Sequence, residues 1–295
     1  MSKKPTVAFA GLGAMGRPMA ANLHSAGLLR AVWNRTRSKA ETLAGELDVP
    51  AVETVADLAA AADIIAVCVS ADEDVLELVE ALCPRLQAGQ QVVDFSTVHP
   101  ATSRAAAQRC AAAGAGFVDA PVSGGTEGAR NARLTIMAGG SEADLEAVRP
   151  VLEAVGARIT HMGPVGAGQA TKAANQIAVA GINQAVSEAL AFAESQELDL
   201  DAVIEALSGG VADGWFLRNR GPNMRARDYP PGFRVDLHDK DLAICQRIAA
   251  DCEAQLPVVE MTRIHYRRLM DNGHAGEDVS SLHRLKRKLF SGEDS

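Results

Sequence analysis

Cysteine, unbroken apolar sequence and positive charge are all in short supply in this 295-residue chain. The five cysteines (Cys68, Cys83, Cys110, Cys245, Cys252) are odd in number and show no Cys-x-x-Cys spacing, which argues against a disulfide framework and reads as reduced thiols. No apolar run approaches the roughly 18 residues of a membrane span. The opening Ser2-Lys3-Lys4-Pro5 lacks a signal-peptide pattern, so a cytoplasmic location with no membrane partner is expected. A net charge of −8 and a pI near 5.4 argue against nucleic acid as a partner. The short basic stretch His283-Arg284-Leu285-Lys286-Arg287-Lys288 reads as the solvated face of a terminal helix. No two histidines have metal-ligand spacing on a helix, so no metal is expected.

What is present begins in the first 36 residues. The apolar run Val7-Ala8-Phe9-Ala10 leads into Gly11-Leu12-Gly13-Ala14-Met15-Gly16, followed by a helical pattern that stops at Gly27. Gly11 permits a tight turn, Gly13 lets a pyrophosphate approach, and Gly16 lets the helix pack on its strand, with phosphate at the helix N-terminus. About 20 residues on, an NAD site would place a carboxylate for the ribose hydroxyls. Here stand Asn34-Arg35-Thr36, three groups able to hydrogen-bond a 2′-phosphate. NADP is the expected cofactor, with NAD accepted less well; the bland alternative makes Arg35 and Arg37 solvated loop charges.

The length suggests two domains. Up to residue 164, short apolar strands alternate with alanine-rich helices, the pattern of a doubly wound α/β Rossmann sheet. Strands are expected at Val7–Ala10, Ala31–Trp33, Ile64–Val69, Val92–Phe95, Gly116–Val118, Leu134–Ala138 and Arg158–Thr160, with Ser141 and Asp144 opening a helix. Ligands of such sheets bind at the carboxyl ends of strands, which gathers Val69-Ser70, Ser96-Thr97 and Pro121-Val122-Ser123-Gly124-Gly125 on one side. From 165 to 295 the strand signals stop. One helix over about 167–196 is the expected spine of an all-helical domain, with further helices at 199–207, 239–251 and 257–270 and a loop at 208–233. Its apolar residues, Ile182 and Phe192 among them, are more than one small domain covers, so a homodimer or homotetramer is expected.

Three places could do chemistry. Lys172 and Asn175, three apart near the start of the long helix, share a face, and an ammonium near a helix N-terminus is disposed to give up its proton. By spacing alone an exposed lysine is the commoner case. Ser123-Gly124-Gly125 could hold a carboxylate through a hydroxyl and successive N–H groups, or could be a hairpin turn; unaided, the two readings are even. Phe233, Lys240 and Asp241 form a weaker third candidate.

These segments, taken in order, closely resemble the β-hydroxyacid dehydrogenases of 3-hydroxyisobutyrate dehydrogenase type: Gly11 to Leu23, Asp119 to Gly125, Gly166 to Gln176, and Phe233 to Leu242. The resemblance implies a hydride exchange between a nicotinamide and a short 2- or 3-hydroxy acid or its aldehyde acid. It also implies roles: Lys172 as general acid and base; Asn175 and Ser123-Gly124-Gly125 on substrate; Thr97 near the nicotinamide ribose; Lys240 closing over the cofactor. Val69, Ser70 and Phe233 fall on the cofactor side, and Gln176 and Lys240 on the substrate side. Trp33-Asn34-Arg35-Thr36 looks like the NADPH-dependent glyoxylate and succinic semialdehyde reductases, whereas Asn175-Gln176 and Gly232 to His238 look like tartronate semialdehyde reductase. Gln176 stands where many members carry a second Asn, and Arg133 where a small or neutral residue is common. Four alternatives remain: a 3-hydroxyisobutyrate dehydrogenase proper; an imine reductase, which Lys172 argues against; a non-catalytic cofactor-binding module; and a histidine-based dehydrogenase using His99, His161 or His238, none of which has a recognisable Arg and Asp beside it.

Overall fold

A computed structural model of the chain describes residues 4–291. The chain separates into two compact units, Met1–Lys172 and Ala173–Ser295.

The first unit is an eight-stranded sheet: β1 (Val7–Ala10), β2 (Leu29–Trp33), β3 (Ile64–Val67), β4 (Gln91–Asp94), β5 (Gly116–Asp119), β6 (Val122–Ser123), β7 (Leu134–Gly139) and β8 (Gly156–Gly163). Its order is β2-β1-β3-β4-β5-β7-β6, with β8 beside β7. Strands β1 to β5 are mutually parallel, and β7 runs antiparallel to β5 and β6. The intervening helices are α1 (Gly16–Ser25), α2 (Arg37–Leu47), α3 (Val55–Ala61), α4 (Asp72–Leu82), α5 (Pro100–Ala112), α6 (Gly125–Arg130) and α7 (Glu142–Val155). Both faces of the sheet are covered. Side chains alternate, so Val7, Phe9, Ile64 and Ala66 enter one apolar layer and Ala8, Ala10, Ile65 and Val67 the other. This is the doubly wound Rossmann architecture that the strand pattern anticipates. Ser141 caps α7 by accepting from the Asp144 N–H, and Gly27 ends α1 with a φ of 74°. The order reverses between β1 and β3, which is where such sheets open to a ligand.

The second unit is all helical: α8 (Ala167–Ser195), whose opening turn belongs to the first unit, then α9 (Leu200–Ser208), α10 (Trp215–Ala226), α11 (Val235–Ala250), α12 (Pro257–Asp271) and α13 (His283–Ser291). Its core gathers Leu190, Phe216, Met224, Leu242, Val259, Tyr266 and Leu269.

Two expectations need correction. The stretch 208–233 is not one loop, because Phe216, Leu217 and Met224 bury and draw 215–226 into α10 despite Gly221 and Pro222. Gly221 packs closely on α9: a Cβ there would lie 3.1 Å from Ile204 Cδ1, so that side chain would have to give by a few tenths of an ångström. The basic stretch is not a solvated face: His283 and Lys286 are buried, Lys286 Nζ donates to Glu188 at 2.7 Å, and Arg287 Nε donates to Glu194 at 2.6 Å. The inner face of α8 carries polar side chains. Asn183, Gln184 and Ser187 are buried and hydrogen-bonded, while Ala178, Ile182, Ala185, Ala189 and Phe192 are exposed. Among the described residues no helix is long and apolar enough to cross a membrane.

Candidate functional site

The glycine loop between β1 and α1 is built by steric exclusion. A Cβ on Gly11, whose φ is 95°, would lie 2.1 Å from the Cys68 carbonyl oxygen beyond β3. One on Gly16 would lie 1.9 Å from the Gly11 oxygen. Gly13 differs: its Cβ would meet nothing within 4 Å, leaving open space at the mouth of α1 beside exposed Ala14 and half-buried Met15. That combination of two filled glycine sites and one open one suits a pyrophosphate seated on the loop.

At the end of β2, Asn34 does structural work. Its Oδ1 accepts from the Leu12 N–H at 2.8 Å and its Nδ2 donates to the Thr36 carbonyl at 3.0 Å, tying the two loops together. Arg35 is exposed and pairs with Asp74 at 2.6 Å, and Arg37 pairs with Glu41 at 2.7 Å. Val69 is held through its N–H, which donates to Ser96 Oγ at 2.8 Å. Val69, Ser70 and Thr97 follow parallel strands β3 and β4 and so stand at the same edge of the sheet as the glycine loop.

The start of α8 is clamped to that edge. The buried Asp119 carboxylate, at the end of β5, accepts from the Gly166 N–H at 2.7 Å and the Gln169 N–H at 2.9 Å. Burial pushes the Asp119 carboxyl up, against the lowering effect of these N–H groups. Gln169 reaches the other way: its Nε2 donates to the Ser96 carbonyl at 2.8 Å and its Oε1 accepts from the Val98 N–H at 3.1 Å. Lys172 lies one turn further on and is 7% exposed, so the reading of it as an ordinary surface lysine fails. The motif quoted from the sequence contains Asp119 and Gln169, yet their anchoring role was not foreseen from it. Both are short-range in space and about 50 residues apart in the chain.

Ser123 closes β6, paired with Thr135 of β7, and Gly124, which precedes α6, and Gly125, which opens it, take φ values of 133° and 61°. The intervening helix shows that this segment is not a tight hairpin. Arg133 is exposed.

In the second unit, Asn175 Nδ2 donates to Gln176 Oε1 at 3.1 Å, and Gln176 Nε2 donates to Asp241 Oδ2 at 2.6 Å. The other Asp241 oxygen holds Lys240 Nζ at 2.9 Å. Gln176 therefore sits in a relay from Asn175 to Lys240. Phe233 packs on His238, ring centroids 5.0 Å apart, and buried His238 contacts Tyr266 Oη at 2.9 Å. The three histidines weighed as catalytic are all engaged with neighbours: His99 Nδ1 accepts from the Ala101 N–H, and His161 Nε2 donates to the Gly140 and Gly163 carbonyls.

The expected residues thus fall in two groups. Gly11 to Gly16, Asn34 to Thr36, Val69, Ser70, Thr97, Ser123 to Gly125 and Lys172 belong to the first unit, and Asn175, Gln176, Phe233 and Lys240 to the second.

Residues 6–163 match the family described as the NAD binding domain of 6-phosphogluconate dehydrogenase, and 166–286 that described as NAD-binding of NADP-dependent 3-hydroxyisobutyrate dehydrogenase. The chain is 38% identical to the 2-hydroxy-3-oxopropionate reductase of Escherichia coli, over 93% of this chain and 94% of that one. It is 33% identical to the NAD-dependent L-serine dehydrogenase of Pseudomonas aeruginosa, over 95% and 97%. The solved structure of Mycobacterium tuberculosis 3-hydroxyisobutyrate dehydrogenase with L-serine superposes with a TM-score of 0.89 at 30% identity, covering 97% of this chain and all of that one. Fold, glycine loop and matches together define an NAD(P)-dependent oxidoreductase of hydroxy acids. The chain belongs to the β-hydroxyacid dehydrogenase family of 3-hydroxyisobutyrate dehydrogenase type.

Proposed function

We propose that this chain interconverts a short 2- or 3-hydroxy acid and its aldehyde acid, with NADP(H) preferred over NAD(H) and Lys172 as general acid and base. The observation that carries the reading is the burial of Lys172 one turn after the Asp119–Gln169 clamp. A lysine held there is positioned by buried hydrogen bonds rather than left to solvent.

A dinucleotide held by the Gly11 to Gly16 loop would supply hydride-transfer chemistry at the substrate's carbonyl or hydroxyl carbon. Lys172 Nζ gives its proton to the carbonyl oxygen as that oxygen becomes an alkoxide, and takes it back in the oxidative direction. The Ser123 hydroxyl and the N–H groups of Gly124 and Gly125 hold the substrate carboxylate. Asn175 orients the substrate oxygen. Gln176, through Asp241, fixes the place of Lys240, and Lys240 and Phe233 are given to the cofactor by the family resemblance. The Gly11 to Gly16 loop carries the pyrophosphate, and Thr97 the nicotinamide ribose. Arg35 and the Thr36 hydroxyl favour a 2′-phosphate over a bare ribose.

A cytoplasmic homodimer or homotetramer fits the exposed stripe Ala178, Ile182, Ala185, Ala189 and Phe192 along α8. Light scattering at micromolar concentration tests this; a strict monomer removes it.

The deciding experiment is a steady-state panel with NADPH and NADH against tartronate semialdehyde, glyoxylate, succinic semialdehyde, 3-hydroxyisobutyrate and L-serine. Turnover of at least one, faster with NADPH or NADP, supports the reading. Turnover of cyclic imines alone would replace it with an imine reductase, and tight NADPH binding without turnover would replace it with a binding module.

A further inference from the structure

Asp74 is the partner of Arg35, the residue proposed to meet a 2′-phosphate. Its Oδ1 lies 2.6 Å from Arg35 Nη1, and the pair is uneven: the Asp74 side chain is 19% exposed and that of Arg35 79%. The carboxylate is therefore the fixed partner and the guanidinium the group drawn to it. Asp74 sits in the first turn of α4, where Asp72 and Glu73 add two further carboxylates. Asp72 is occupied by the His99 N–H at 2.7 Å and the Thr102 hydroxyl at 2.6 Å, and Glu73 is exposed. Helix α4 follows directly on the loop after β3 whose Cys68 oxygen abuts Gly11, so this acidic turn borders the dinucleotide loop.

The remaining candidates for the phosphate are few. Asn34 spends both ends of its amide on the backbone of Leu12 and Thr36. Arg37 is held by Glu41 and Glu53. The Thr36 side chain does not cap α2, but a hydroxyl carries no charge. Arg35 is the first cation after β2, and Asp74 both competes for it and repels an incoming dianion.

We infer that Asp74 is a specificity-determining residue: by pairing with Arg35 it sets how strongly the site prefers a 2′-phosphorylated ribose over an unmodified one. It holds NADP preference below what Arg35 alone would give and keeps NAD usable. This rests on the NADP reading of Asn34-Arg35-Thr36 given above.

Calorimetric titration with 2′,5′-ADP and 5′-AMP tests it without turnover. Asp74→Asn is expected to tighten 2′,5′-ADP by about threefold to tenfold, to leave 5′-AMP unchanged, and to lose most of the gain in about 0.5 M salt. Asp74→Lys should act in the same direction and further. If Arg35→Ala weakens 2′,5′-ADP while Asp74→Asn leaves it unchanged, the role of Asp74 is overturned and the NADP reading stands. If Arg35→Ala leaves 2′,5′-ADP unchanged, the NADP reading itself falls, and the role of Asp74 with it.

Discussion

The Asp119 carboxylate accepts the backbone N–H of Gln169 at 2.9 Å, and that one contact joins the end of β5 to the opening turn of the longest helix in the described chain. With the Gly166 N–H on the other oxygen, it satisfies two of the four N–H groups that a helix start leaves orphaned. The position of Lys172 follows from it, because the lysine comes three positions after Gln169, just under one helical turn.

Gly168 lies inside this clamp, where a Cβ would come within 2.3 Å of the Met137 carbonyl oxygen and 2.8 Å of the Asp119 carbonyl oxygen. Both are backbone atoms and cannot swing away. Gly168→Ala is expected to cost about 1–3 kcal/mol of stability by overpacking and to lower kcat about tenfold or more through displacement of Lys172. Urea unfolding and steady-state kinetics measure the two separately.

Lys172→Ala should reduce kcat by about two to four orders of magnitude, the usual share of a general acid. Dinucleotide affinity, read from NADPH fluorescence, should stay nearly constant. Unchanged turnover would remove Lys172 from the chemistry.

Asn34→Asp keeps an acceptor for the Leu12 N–H but loses the donor to the Thr36 carbonyl and adds a negative charge beside Arg35. NADPH affinity should fall by about tenfold or more while NADH affinity holds or improves. An equal loss for both would mean that Asn34 serves only the loop.

His283 gives the fold an acid limit. It is 1% exposed, and burial, with Arg287 and Arg227 acting in the same direction against Glu194, lowers its pKa from 6.5 to about 4. A depressed histidine binds fewer protons folded than unfolded, so its contribution is complete above pH 6.5 and is lost as the pH falls through about 4. Stability should drop by about 2 kcal/mol between pH 7 and pH 5 from this group. His283→Gln should flatten that slope in urea titrations, and an identical slope in the variant would assign the effect elsewhere. Near neutrality the 3.9 Å approach of His283 to Glu194 is accordingly not an ion pair.

Much of this protein is legible in local pattern. The glycine loop, the strands of the first unit and the 29-residue α8 are written in spacings of a few residues, which is the range over which periodicity and turn chemistry act. Lys172 and Asn175 can be paired on one helix face by spacing, but spacing alone favours an exposed lysine, and their role comes from the family resemblance. What escaped is long-range. Gln169 and Asp119 are 50 residues apart, Gln176 and Asp241 65, and Arg35 and Asp74 39, and no spacing announces such pairs. Helix α10 was hidden by Gly221 and Pro222, two residues whose local preference is overruled by the burial of Phe216, Leu217 and Met224. The basic C-terminal stretch misled in the opposite sense: its charges are the kind that ordinarily face water, but Glu188 and Glu194 are placed to receive Lys286 and Arg287.

Helix α8 buries Asn183 against Tyr266 Oη and the Val279 carbonyl, and Gln184 against Thr262, while Ile182 and Phe192 look outward. Hydrogen bonds are directional, so a slip of one residue would orphan every one of these amides; the helix is indexed like a toothed rack, whereas greasy contacts alone would let it slide. The outward side of α8 at Ile182 and Phe192 can therefore be given over to another surface while the buried amides Asn183 and Gln184 hold the register of the helix.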